Sequence, residues 1–123
     1  MTHEQFIELS TAKLAKQTGF DWNVGAYYLN GYFYRANFYA NYNLRILADY
    51  KTISAPTQSV LQRWLREVKG MYISMNYWYI HNEWRCQVKS QDNSILLNYI
   101  ERTYEAALEA GLQKCLTILI EKR

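Results

Sequence analysis

Between Ala55 and Lys69 the chain reads APTQSVLQRWLREVK, and its apolar residues recur at helical spacing. Val60, Leu61, Trp64, Leu65 and Val68 form one stripe, which predicts an amphipathic helix facing a core. Ser54 is a candidate N-cap, and Pro56 fits a first helical turn, where a missing N–H costs nothing. Gly70 fits the left-handed stop, and Lys69 suits the negative end of the helix dipole. A shorter helix is expected at Thr11–Thr18, capped by Ser10, stapled by Leu9 and Leu14, and ended by Gly19 with Phe20 folding back. A third runs from a Thr103 cap to about Glu121, with Tyr104, Leu108, Leu112, Cys115, Leu116 and Leu119 as its buried stripe. Glu105 and Glu109, four residues apart, read as its solvated face.

The remaining pattern has the period of strands. Tyr27-Tyr28-Leu29-Asn30-Gly31-Tyr32-Phe33-Tyr34 sets an Asn-Gly pair between β-forming residues, the strongest short hairpin signal, with strands near Val24–Leu29 and Tyr32–Asn37. From Tyr39 to Tyr50 the pattern fits either a short strand or a helical turn around Leu44, Ile46 and Leu47. Strands follow at Tyr72–Ile80, Trp84–Lys89 (Trp84, Cys86 and Val88 inward) and Ile95–Ile100, joined by turns at His81–Glu83 and Ser90–Ser94. The expected fold is therefore a single α+β domain over residues 1–123, in the order α-ββ-α-βββ-α, an antiparallel sheet with helices packed on one face.

Composition narrows the class. A chain of 123 residues with 50% hydrophobic and 20% charged residues is long enough for one core and is not of disordered type. Met1–Leu9 lacks a basic, apolar leader pattern, and the apolar run Cys115–Ile120 is too short to span a bilayer, so a cytoplasmic protein without a membrane partner is expected. Cys86 and Cys115 read as reduced core thiols.

Candidate chemistry is sparse. His3 and His81 stand apart, with no ligand-spaced Cys or carboxylates, so no metal is expected. There is no nucleophile elbow or phosphate loop, the carboxylates are scattered, and neither catalytic residues nor a cofactor are expected. The net charge of +3 permits a nucleic-acid partner, for which Arg63, Arg66 and Lys69 on the central helix are the candidate contacts and Tyr77, Trp78 and Tyr79 candidate stacking rings. The α-β-β-β-α order of the later chain matches a double-stranded-RNA-binding domain, yet Glu101-Arg102-Thr103-Tyr104-Glu105 stands where a lysine cluster would grip phosphate. The bland reading, a solvated basic face, is preferred.

The anomaly is aromatic. Twelve tyrosines are present, and seven of them lie between Tyr27 and Tyr50 among Asn23, Asn30, Asn37, Asn41 and Asn43. Tyrosine supplies amphipathic contact area at low entropic cost and asparagine supplies adaptable hydrogen bonds, the chemistry of paratopes. Tyr27, Tyr28, Tyr32, Tyr34, Tyr39 and Tyr42 are therefore the candidate contacts for a protein partner, a host protein or a second copy in a homo-oligomer. A tyrosine-walled pocket that sequesters a small molecule is a further alternative, and a partly exposed tyrosine face without any partner is the bland one.

Three segments, TAKLAKQTGFDW at Thr11–Trp22, SAPTQSVLQRWLREV at Ser54–Val68 and TYEAALEAGL at Thr103–Leu112 with its apolar tail, resemble a family of small proteins of no assigned activity encoded by phages and prophages of gut Bacteroidetes. They cover about a third of the chain in the family's order. Such proteins continue from the central helix into a strand with a histidine-containing start, where this chain has Lys69-Gly70-Met71-Tyr72, and often carry a second Glu where it has Ala106. Gly25–Lys51 has no counterpart in them. The resemblance implies a bacterial cytoplasmic setting and an accessory, non-catalytic role, and it supplies no site residues.

Overall fold

The computed structural model describes residues 5–44, 46–47, 50–90 and 95–122. Asn30 and Gly31 both take positive φ, 53° and 86°, as a two-residue hairpin turn requires. They join β1 (Val24–Leu29) to β2 (Tyr32–Ala40), which outruns its expected end at Asn37. Ile46–Leu47 forms β3, the strand alternative of the ambiguous stretch, and β4 (Tyr50–Ser54) follows. These strands make an antiparallel sheet in the order β2-β1-β4-β3. A second antiparallel sheet holds β5 (Tyr72–Trp78), β6 (Glu83–Lys89) and β7 (Ile95–Glu101) in sequence order. The chain is thus an α+β domain with the expected order, its strands divided between two sheets.

The helices are α1 (Leu9–Gln17), α2 (Gln58–Lys69) and α3 (Tyr104–Glu121). Two helix starts differ from expectation, and tertiary contacts explain both. Ser54 is the last residue of β4 and Pro56 precedes α2 rather than opening it. The backbone stays extended through Thr57 because the N-terminal segment pairs with it. Ile7 N–H donates to the Pro56 carbonyl at 3.1 Å, Phe6 bridges Thr57, and Gln58 N–H donates to the Gln5 carbonyl at 2.8 Å. Thr57 is the cap, its hydroxyl accepting from Val60 N–H at 3.3 Å. Helix α1 starts before Ser10, at a Glu8 N-cap whose side chain makes no cap bond. The cap comes from across the core. Glu109 of α3 accepts from Glu8 N–H at 2.9 Å and from the Thr11 hydroxyl. Glu109 is 7% exposed, so it belongs to the interior and not to a solvated face. The expected stops do form. Gly19 (φ 96°) and Phe20 close α1 by bonding back to Lys16 and Ala15, and Gly70 (φ 67°) ends α2.

Leu61, Trp64 and Leu65 of the α2 stripe are fully buried, with Trp64 edge-on to Phe20 at 5.2 Å. Val68, at 51% exposure, lies outside the core because the stripe turns away in the last helical turn. The hub is α3, which packs against α1, α2 and all three strands of the second sheet. Its Gly111 receives the Cys86 sulfur, since a Cβ there would lie 2.2 Å from Sγ. Burial pushes the Cys86 thiol up to about 11. Burial, with the nearby Cys86 second, pushes Cys115 up to about 12, so both thiols are neutral and unreactive at physiological pH. His3 and the residues from 91 to 94 of the Ser90–Ser94 turn lie outside the described residues.

Candidate functional site

The register of the hairpin sorts the aromatic residues onto two faces. Tyr27 stands opposite Tyr34, and Tyr28 opposite Phe33. On one face Tyr27 stacks on Tyr34 (5.6 Å) and on Tyr42 (4.8 Å), and Phe38 lies beyond Tyr42 at 6.3 Å. On the other, Phe33 packs on Tyr28 (5.6 Å) and Phe6 (5.0 Å), and the Arg35 guanidinium sits 5.1 Å over the Phe6 ring.

The six candidate tyrosines do not act alike. Tyr42 is 4% exposed and donates to the Phe38 carbonyl at 2.7 Å, which makes it core and removes it as a contact residue. Tyr28 is half-buried and donates to the Ile7 carbonyl at 2.7 Å. Burial, then the Glu109 and Glu8 carboxylates, raise its pKa, so it remains a neutral hydrogen-bond donor. Tyr27 is half-buried between its stacking partners. Tyr32 (70% exposed), Tyr34 and Tyr39 (75%) are presented to solvent, and Phe33 and Phe38 join them. All five lie on β2, an edge strand of the sheet. Sequence reasoning missed the two phenylalanines, although their place in a tyrosine-rich strand signalled them.

Beside this strand lies a cleft of about 460 Å³. One wall is the start of β1 with Ala36 and Tyr39 of β2, and the other is Ala55–Thr57 with Val60. Phe6, Asn23 and Arg35 complete the lining.

The basic candidates are separate from both features. Arg63 pairs with Glu67 at 3.5 Å and lies 4.9 Å over Trp22, and Lys69 lies 5.5 Å over Trp64. Arg66 is exposed on the same helix. Of the candidate stacking rings, Tyr77, Trp78 and Tyr79 are exposed, and Trp78 is covered on one side by Arg85 at 3.5 Å. His81 sits in the β5–β6 turn, edge-on to Trp78 at 5.1 Å.

A second polar cluster lies inside. Gln58 Nε2 donates to Glu109 Oε1 at 2.8 Å and to the Glu105 carbonyl at 2.9 Å, while Gln113 Nε2 donates to the Thr11 hydroxyl at 2.9 Å. Its groups satisfy one another, and its role is to lock α1 and α2 onto α3. A sequence signal for it existed: Glu109 precedes Leu112 and Leu116 at the spacing of the buried stripe. Among the described residues no group of three or more His, Cys, Asp or Glu could hold a metal ion, and no helix is long and apolar enough to cross a membrane. No family model, curated protein or solved structure matches the chain.

Proposed function

We propose that this protein is a non-catalytic accessory binding protein of phage or prophage type, working in the bacterial cytoplasm through protein–protein contact. The contact surface is the exposed aromatic row of β2: Tyr32, Phe33, Tyr34, Phe38 and Tyr39. The observation that carries the reading is that row itself, five large aromatic side chains exposed along one edge strand. Exposed aromatic area of this density is costly to solubility and is characteristic of interfaces. An edge strand also offers unpaired backbone groups to an incoming chain. The partner is a host protein or a second copy of this chain. The setting rests on the sequence resemblance in the α1, α2 and α3 segments.

The test is a Tyr32→Ala, Tyr34→Ala, Tyr39→Ala triple variant, with sedimentation analysis and host-lysate capture run beside the unaltered protein. Loss of self-association or of a specific captured partner is expected. A strictly monomeric protein whose captured set is the same with and without the three tyrosines overturns the reading. The nucleic-acid alternative has less support, because Arg63 and Lys69 are engaged with Trp22, Glu67 and Trp64.

A further inference from the structure

The cleft beside β2 owes its existence to an irregularity in the hairpin. Ala26 pairs with Arg35 and Val24 with Ala40, so four residues of β2 cover a span that Gly25 alone covers on β1. Bulges concentrate beside binding sites, where they re-aim side chains and break the ladder. Gly25 permits this one. A Cβ there would lie 3.0 Å from Cε1 and 3.1 Å from Cζ of Tyr39, so the ring rests on bare backbone. The displaced strand leaves the cavity between the sheet and the Ala55–Val60 segment.

The lining has a definite chemical character. Val24, Ala36, Pro56 and Val60 give apolar walls, and Phe6 adds an aromatic one. Arg35 supplies the single charge, and no carboxylate lines the cleft. Among the described residues Arg35 has no carboxylate partner either; its guanidinium is held over Phe6. A largely apolar cavity with one positioned cation and no countercharge complements an anion with an apolar body. The cation is already ordered on a ring, so binding loses less side-chain freedom than it would with a loose arginine.

We infer that the cleft is a binding site for a small organic carboxylate with a ring-sized apolar body, its carboxylate on Arg35 and its body against Phe6, Val24 and Val60. A volume of about 460 Å³ accommodates such a ligand. The inference does not depend on the protein-contact reading, because Tyr32, Phe33, Tyr34 and Phe38 do not line the cleft.

Phenylacetate and its uncharged counterpart phenylacetamide are suitable probes, titrated into the full chain and followed by amide NMR. Phenylacetate is expected to give saturable shifts at Gly25, Ala36 and Val60. Phenylacetamide is expected to bind at least about tenfold more weakly, as loss of a charge-assisted contact implies. Arg35→Gln is expected to weaken phenylacetate by about tenfold or more, and Arg63→Gln, outside the cleft, to leave it unchanged. The two probes are compared on the unaltered protein, so that arm holds even if Arg35→Gln fails to fold. No saturable shift up to about 10 mM, well below any useful affinity, overturns the site. So do equal affinities for the two probes, undiminished binding by Arg35→Gln, or equal shifts from inorganic phosphate, which has no apolar body.

Discussion

The two sheets draw on the same strand-forming residues and end with opposite surfaces. In the three-stranded sheet α3 covers one face, and the inward Cys86 and Val88 become fully buried. In the four-stranded sheet β2 has neither a strand beyond it nor a helix packed against it, and its aromatic residues remain in solvent. The same contrast recurs within the second sheet. Ile73 of β5 is buried near α3, whereas Tyr77 and Trp78 at the far end of the strand are exposed. Helix coverage, rather than strand composition, decides which aromatic and aliphatic side chains become core.

The largest expected effect is on the covered half. Glu109→Ala leaves Glu8 N–H, the Thr11 hydroxyl and one Gln58 donor without their shared acceptor. A loss of about 3 kcal/mol in urea unfolding is expected, set by the stranded buried donors. A loss under about 1 kcal/mol would mean that α1 is held to α3 by apolar packing alone.

Next is the close approach of α3 to β6. Gly111→Ala places a methyl group into the Cys86 sulfur and is expected to cost about 2 kcal/mol despite the better helix propensity of alanine. Cys86→Ala in the same chain makes room, so a double-mutant cycle is expected to show strong favourable coupling. Additive effects would contradict the packing of Cys86 into the Gly111 notch.

Alkaline pH probes the same interface more gently. Both thiols have folded pKa values above the reference of 9.0, at about 11 for Cys86 and about 12 for Cys115. Below pH 9 both states keep their protons and the thiols do not affect the pH dependence. Above it the unfolded chain loses protons that the folded chain retains, so stability falls as pH rises through the folded values. The slope approaches about 1.4 kcal/mol per pH unit for each thiol. Cys86→Ala and Cys115→Ala are each expected to flatten the unfolding free energy measured between pH 9 and 11.

The smallest effect is expected on the open half. Replacing Tyr32, Tyr34 and Tyr39 with Ala removes mostly exposed rings and is expected to change stability by no more than about 1 kcal/mol in total. A much larger loss by thermal unfolding would mean that the aromatic row is structural, and the contrast between the sheets would lose its functional meaning.

Much of this was legible along the chain. Local chemistry fixes the Asn30-Gly31 turn, the Gly19 and Gly70 stops, the Thr103 cap and the stripe of Leu61, Trp64 and Leu65, because each depends on neighbours within a few residues. Tertiary structure decided the rest. Ser54 stays in a strand because Gln5–Ile7, distant in sequence, holds Pro56–Gln58 extended. Glu109 is buried because α1 brings an uncapped N-terminus to it. Tyr42 and Tyr39 have the same composition around them, yet one lies in the core and the other covers Gly25. That sorting depends on where β2 bulges away from β1, which no local pattern encodes. The aromatic richness of residues 27–50 is thus a property of the sequence, whereas its division into core, contact surface and cleft wall belongs to the fold.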